Sequence, residues 1–117
     1  MKVIADLTVV PVIAQEACLT PYLVDIIHVL VQSGLNHRIH ANGTNLEGEM
    51  GDILRLTERC QRMLHEKGVT QVNLYLRVIS RSDHEVDMAG SVRHLLQAYE
   101  EKYGQQKGAS EMPHAIK

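Results

Sequence analysis

Two stretches near opposite ends of this chain alternate in a way that strongly restricts its fold. Between residues 3 and 12, and again between residues 69 and 79, every second side chain is aliphatic. A period of two with many β-branched residues is typical of a β-strand with one buried face. The aliphatic sets are Val3, Ala5, Leu7 and Val9, then Val72, Leu74, Leu76 and Val78. We predict two strands, and we expect Pro11 to end the regular pairing of the first because proline lacks an N–H.

Two amphipathic helices are predicted between these strands. The first starts at Thr20-Pro21, with Thr20 as the N-cap, and ends at Gly34. The second runs from about residue 52 to 67 and ends at Gly68. In both, apolar residues recur at spacings of three and four, as in helices that bury one side. The two stripes are Leu23, Ile26, Ile27, Leu30 and Val31, and Ile53, Leu56, Cys60 and Leu64.

A β-hairpin is predicted between the helices. Residues 37–41 and 44–49 form two short strands, joined at Asn42-Gly43, which is the strongest two-residue turn signal. Alternation along the second strand places Asn45 and Glu47 on one face and Thr44 on the other.

The order of elements predicts an α+β fold. A capping box at Ser82 and Glu85 indicates a third helix, and the sequence after residue 103 has few large apolar residues. We therefore expect one domain at residues 1–103 and a flexible C-terminal tail at residues 104–117. The order β-α-β-β-α-β is that of a ferredoxin-like sandwich, with both main helices on one face of a four-stranded antiparallel sheet and an extra C-terminal helix.

Charge and composition exclude several functional classes. The net charge is −2 and Lys and Arg are not clustered, so we expect no nucleic-acid partner. No apolar run is long enough to span a bilayer, and Asp6 argues against a signal peptide. Cys18 and Cys60 are distant in sequence, which favours reduced thiols in a cytoplasmic protein over a disulfide. The chain has no Phe and no Trp, which excludes an aromatic cage.

The sheet face opposite the helices is expected to be unusually apolar. It would carry Ile4, Thr8, Val10, Tyr75 and Ile79 among Asp6, Arg38, His40 and Arg77. Such a patch favours an interface between copies of the chain. The alternative is partial exposure, with the third helix as a cover.

Metal and catalytic signatures are absent from the sequence. The seven histidines show no spacing typical of a metal site, so solvated or dipole-stabilising histidines are favoured over a structural metal. No nucleophile triad or phosphate-binding loop is present. We predict no cofactor, no metal and no catalytic residue.

The most informative polar segment is the return strand of the hairpin. Thr44, Asn45 and Glu47 offer a hydroxyl, a carboxamide and a carboxylate within a few residues. Such a set can recognise a cation or an amino-heterocycle. The alternative is a polar edge strand whose glutamate discourages pairing with other chains.

An ordered set of motifs runs through the chain, namely MKVIADLTVVPV at the N-terminus, Tyr22, Ser33-Gly34-Leu35, GTNLEG at residues 43–48, Cys60 and Arg81. Together they resemble the small, ferredoxin-like thiamine-binding protein family related to YkoF. The resemblance covers about residues 1–97. It implies a homotetramer built from dimers whose sheets associate, and a pocket for thiamine or its hydroxymethylpyrimidine moiety.

The resemblance also implies a set of site residues. Thr44, Asn45 and Glu47 would line the pocket, Tyr22 would offer a ring face, and Arg81 matches a basic position after the last strand. Ile13 stands where the family usually has Gly, and residues 14–20 lack its serines, so that pocket wall gains bulk and loses hydroxyls.

The favoured function is therefore non-catalytic binding of a small heterocycle. Two alternatives remain. One is a small enzyme with Glu47 as general base in a pocket between subunits. The other is a structural oligomer with a vestigial pocket.

Overall fold

The computed structural model describes residues 1–15 and 17–104, and these form the α+β, ferredoxin-like arrangement that the sequence predicts. One antiparallel sheet of four strands, in the order β2-β3-β1-β4, carries α1 and α2 on one face. The elements are β1 (Lys2–Val12), α1 (Thr20–Ser33), β2 (Asn36–His40), β3 (Gly43–Glu49), α2 (Met50–Glu66), β4 (Gln71–Ile79) and α3 (Met88–Tyr103).

The core lies between the sheet and the two helices. The alternating residues of β1 and the predicted stripe of α2 supply most of it, joined by Leu46 of β3. All four residues of the α2 stripe are buried, namely Ile53, Leu56, Cys60 and Leu64. The α1 stripe is only partly confirmed, because Ile26 and Leu30 are buried whereas Leu23, Ile27 and Val31 are exposed.

β1 continues past Pro11, where the sequence predicts an end to regular pairing. Pro11 pairs with Val72 and Val12 with Gln71 of β4. β3 pairs with β1 only as far as Leu7, so this end of β1 has a strand on one side only. Proline is tolerated on such an edge, where its missing N–H need not bond to a second strand.

The helix cap of α1 and the hairpin turn are each displaced by one residue from the predicted position. α1 starts at Thr20, so its N-cap is Leu19 rather than Thr20, whereas Gly34 ends the helix as predicted, with φ of 73°. The hairpin loop is Ala41-Asn42, because His40 already pairs with Gly43. A Cβ on Gly43 would lie 2.6 Å from the Leu7 carbonyl oxygen, so glycine is needed here for close approach to β1.

The third helix starts later than the capping box predicts. Asp87 is the N-cap, and its carboxylate accepts a hydrogen bond from the Gly90 N–H, so the helix begins at Met88. α3 packs near β3, and none of its side chains is fully buried in the described part of the chain. The predicted tail, apart from Gly104, lies outside the described residues. Within them, no helix is long and apolar enough to cross a membrane.

Candidate functional site

β3 presents its polar side chains to two different sides of the sheet. Thr44 and Leu46 are buried on the side of α1 and α2. By strand alternation, Asn45 and Glu47 lie on the opposite side, which we call the open face. The sequence predicts this division, and it means that one protomer does not bring all three polar residues into one pocket.

A groove of about 300 Å³ lies between α1, the end of β1 and the β2–β3 hairpin. This volume is at the lower end of the range for small-molecule sites. Most of its side chains are aliphatic, and no tyrosine lines it within residues 1–15 and 17–104. The lining residues are Leu7, Thr8, Val9, Val10, Pro11, Leu19, Leu23, Ile26, Ile27, Leu30, Ile39, His40, Ala41, Asn42, Gly43 and Thr44.

Thr44 is the buried polar residue of this groove. Its exposure is 7%, and its hydroxyl makes no hydrogen bond within residues 1–15 and 17–104. No fully shielded side-chain polar atom in this part of the chain lacks a partner, so the hydroxyl is open to the groove. A molecule that covers it must supply a hydrogen bond, because a buried and unpaired polar group costs free energy. The Thr44 hydroxyl is therefore placed to bond with a molecule that occupies the groove.

The hairpin turn closes one end of the groove and is tied to β1 by side chains. The Thr8 hydroxyl donates to the Asn42 carbonyl oxygen over 2.8 Å. The Asn42 N–H donates to His40 Nδ1 at 3.1 Å, and His40 Nε2 lies 2.6 Å from Asp6 Oδ1. From the sequence alone His40 is expected to be an ordinary solvated or dipole-stabilising histidine, because Asp6 is 34 positions away in the chain.

Glu47 holds other parts of the protein in place. One carboxylate oxygen accepts a hydrogen bond from the Asn36 side chain. The other accepts from the Met88 N–H over 2.8 Å, which fixes the first residue of α3. A carboxylate at a helix N-terminus is stabilised by the unpaired N–H groups there. Glu47 thus joins β2, β3 and α3 on the open face.

Tyr22 and Arg81 lie away from the groove. Tyr22 is half-buried against the hydrophobic core and does not line the groove. Arg81 is exposed in the loop after β4 and pairs with Asp83, with Nε 2.8 Å from Oδ1. This guanidinium lowers the pKa of the Asp83 carboxyl. Of the five predicted site residues, only Thr44 lines the groove.

The open face combines apolar and charged residues. Tyr75 and Ile79 are exposed on β4, and Val10 and Val12 are exposed at the end of β1. Asp6 lies across from Asn45 and Arg77, giving a polar row through the sheet centre. α3 lies near β3, so the alternative of a cover by the third helix applies only to that part of the sheet.

The two cysteines occupy contrasting surroundings. Cys60 is buried in α2, and burial raises the pKa of its thiol to about 11. Cys18 is exposed before α1, and hydrogen bonding from Thr20 lowers the pKa of its thiol. Among the described residues, no three of the side chains that commonly bind metals form a cluster.

Comparison with known proteins places this architecture in a wider context. A family model described as thiamine-binding protein matches residues 5–96. A UPF0045 protein of Synechocystis is 31% identical over 93 residues, which cover 80% of this chain and 76% of that protein.

Two solved structures share the fold. A domain of unknown function from Bacillus cereus has a TM-score of 0.71 and 26% identity, covering 78% of this chain and 86% of its own. A Thermotoga maritima protein, named for a suggested part in thiamine biosynthesis or salvage, also has a TM-score of 0.71. It is 20% identical and covers 81% of this chain and 99% of its own.

Proposed function

Because this chain belongs to the thiamine-binding protein family, we propose that it binds thiamine or its hydroxymethylpyrimidine moiety without catalysing a reaction. The observation that carries the proposal is the Thr44 hydroxyl, which opens onto a mostly aliphatic groove and makes no hydrogen bond within the described residues. The name of the Thermotoga protein supports the same ligand class.

The groove suits one part of such a ligand particularly well. A pyrimidine ring is flat and apolar on both faces, so it can lie against Leu23, Ile27 and Ile39. A hydroxyl both donates and accepts, so Thr44 can bond to a ring nitrogen or to the exocyclic amine. Among the described residues that line the groove there is no carboxylate, so they do not offset the positive charge of a thiazolium ring.

The contacts of Glu47 support binding over catalysis. A general base needs a lone pair directed at its substrate. Each oxygen of Glu47 accepts one hydrogen bond, from Asn36 and from Met88, so the carboxylate is oriented towards β2 and α3 and lies across the sheet from the groove. Asn45 shares that face, so these two residues would reach a ligand only at a site on the open face.

We also propose that the open face joins copies of this chain into a homotetramer in the cytoplasm. The exposed Tyr75 and Ile79 support an apolar contact, and Asp6 and Arg77 on the same face allow charges of one copy to meet opposite charges of another. Light scattering of a Tyr75→Glu, Ile79→Glu variant should show a smaller particle than the wild type. An unchanged mass would contradict this arrangement.

Calorimetric titration of thiamine and of hydroxymethylpyrimidine tests the binding proposal. Thr44→Val keeps the shape of the side chain and removes the hydroxyl, so affinity should fall about fivefold to tenfold. Thr44→Ser keeps the hydroxyl, so this variant should keep most of the affinity of the wild type. Thr70→Val, in the exposed loop before β4, is the matched control. Absence of heat from both ligands at millimolar concentration would overturn the proposal, as would equal affinity of Thr44→Val and the wild type.

A further inference from the structure

Four histidines in the described part of the chain make ring hydrogen bonds through Nδ1, and three of them do so in the same way. The Nδ1 atoms of His37, His65 and His84 lie 2.8–2.9 Å from carbonyl oxygens. A carbonyl oxygen only accepts, so each of these Nδ1 atoms carries the hydrogen. When such a ring takes up a second proton, it adds it at Nε2, and the Nδ1 bond persists.

His40 has the opposite arrangement. The backbone N–H of Asn42 donates to its Nδ1, so this nitrogen carries no hydrogen. The ring hydrogen is then on Nε2, where it donates to Asp6 Oδ1. A second proton can enter only at Nδ1. A protonated Nδ1 cannot accept, so proton uptake breaks the bond to Asn42 while it strengthens the pairing with Asp6.

The bond that is lost holds the end of the groove. Asn42 lies in the turn between β2 and β3, and the turn lines the groove. Its carbonyl oxygen is held by the Thr8 hydroxyl, and its N–H is held by His40. Within the described residues, loss of the bond from the Asn42 N–H leaves the Thr8 hydroxyl as the side-chain group that holds Asn42.

We propose that His40 is a positioning residue whose neutral ring fixes the Ala41-Asn42 turn at the end of the groove, and whose protonation releases that turn. The release is a property of the hairpin itself. Its consequence, weaker ligand binding in acid, rests on the function proposed above.

The charges around His40 come from several elements. Asp6 on β1 pairs with the ring. Two cations lie nearby, namely Arg38 on β2, the strand of His40 itself, and Arg77, which is across from Asp6 on β4. β3 faces the ring with the uncharged Gly43 and Asn45, and α1 faces the turn across the groove with the aliphatic Leu19 and Leu23. α3 contributes Arg93 and Glu100, which share a groove with Arg38.

Two substitutions separate the two bonds of His40. In His40→Asn, the side-chain oxygen occupies the place of Nδ1, so it can accept from Asn42 but does not titrate. In His40→Gln, the longer amide can donate to Asp6 but no longer places an acceptor beside Asn42. His84→Asn removes a histidine from the exposed loop before α3 and serves as the control.

The measurement is amide hydrogen exchange at Asn42, followed by NMR between pH 7.5 and pH 5.5, where histidine commonly titrates. Protection, expressed relative to the intrinsic exchange rate at each pH, should fall about fivefold in the wild type and in His84→Asn. It should change less than twofold in His40→Asn and be low at both pH values in His40→Gln. Equal protection at both pH values in the wild type would overturn the proposal, as would the same fall in His40→Asn.

Titration of hydroxymethylpyrimidine at the same two pH values separates this inference from the proposed function. Affinity should fall in acid more for the wild type than for His40→Asn, since titration of the ligand is common to both proteins. If Asn42 responds to pH but the ligand does not bind, the positioning role stands and the proposed function fails. If the ligand binds with the same pH profile in both proteins, the link between His40 and the groove fails.

Discussion

α1 and α2 lie on the same face of the same sheet, but they use their surfaces differently. α2 buries its whole predicted stripe and exposes charged residues elsewhere, with pairs such as Arg62–Glu58 along its surface. α1 is apolar over most of its circumference and leaves Val24 and Val31 more than half exposed. A helix that is apolar all round normally has neighbours on every side. The contrast shows that α2 completes the core, whereas α1 also provides one wall of the groove.

Leucine truncation should separate the two helices most clearly. Leu64→Ala in α2 removes a fully buried side chain and should lower the free energy of unfolding by about 2–5 kcal/mol. Leu23→Ala in α1 removes a half-exposed one and should cost less than about 1 kcal/mol. Urea unfolding gives both values. Equal losses would show that the outer row of α1 is covered as well as α2 is.

The pH dependence of stability should reveal the buried thiol of α2. Burial raises the pKa of Cys60 to about 11, above the ordinary thiol value of 9.0 that applies after unfolding. The unfolded state therefore loses its proton first. The contribution of Cys60 to the free energy of unfolding is therefore complete below pH 9. It falls by on the order of 2 kcal/mol as the pH rises towards 11. The wild type should lose stability over this range faster than Cys60→Ala, and parallel curves would contradict the assignment.

The helix ends should behave alike even though the helix sides differ. Gly34 and Gly68 follow α1 and α2 with φ of 73° and 92°, and a Cβ at either position would meet nothing within 4 Å. Alanine there should cost about 1 kcal/mol in each case, from backbone strain alone. Gly51→Ala, inside α2, should instead stabilise the protein. Thermal unfolding measures all three, and a much larger loss at one helix end would reveal a packing role.

Thiol modification gives the smallest expected effect. Cys18, exposed before α1, should react with an alkylating reagent at pH 7.5, whereas the buried Cys60 should react only after unfolding. Thr20 lowers the pKa of Cys18 by hydrogen bonding, so Thr20→Val should slow its alkylation by roughly twofold. Cys18→Ser provides the blank. An unchanged alkylation rate in Thr20→Val would show that Thr20 does not lower the pKa of the Cys18 thiol.

The fold was predictable because its determinants are local. Alternation in β1 and β4, the α2 stripe and Gly34 each depend on neighbours in the chain, and the structure confirms them. The N-cap of α1 and the hairpin turn each differ by one residue from the prediction, and two further errors are at positions where distant residues decide. Pro11 stays in the sheet because β3 pairs with β1 only as far as Leu7 and does not extend beside it. α3 begins at Met88, because Asp87 is its N-cap and Glu47 accepts a hydrogen bond from the Met88 N–H.

The candidate site was predictable only in part, for the same reason. Alternation alone separates Thr44 from Asn45 and Glu47. It does not show that α1 leaves a groove beside Thr44, or that Tyr22 turns towards the core. The role of His40 depends on Asp6, which is 34 residues away in the chain, and no local pattern indicates it.

The alternation of β3 also has an evolutionary consequence. Thr44 lines the groove and Leu46 is buried in the core, whereas Asn45 lies on the open face and Glu47 contacts α3. Adjacent positions of β3 thus carry different structural constraints. Substitutions at position 44 can alter what the groove accepts without disturbing the attachment of α3, and changes at position 47 can loosen α3 without reshaping the groove. An insertion of one residue in β3 would exchange the two roles, because successive side chains point to opposite faces of the sheet.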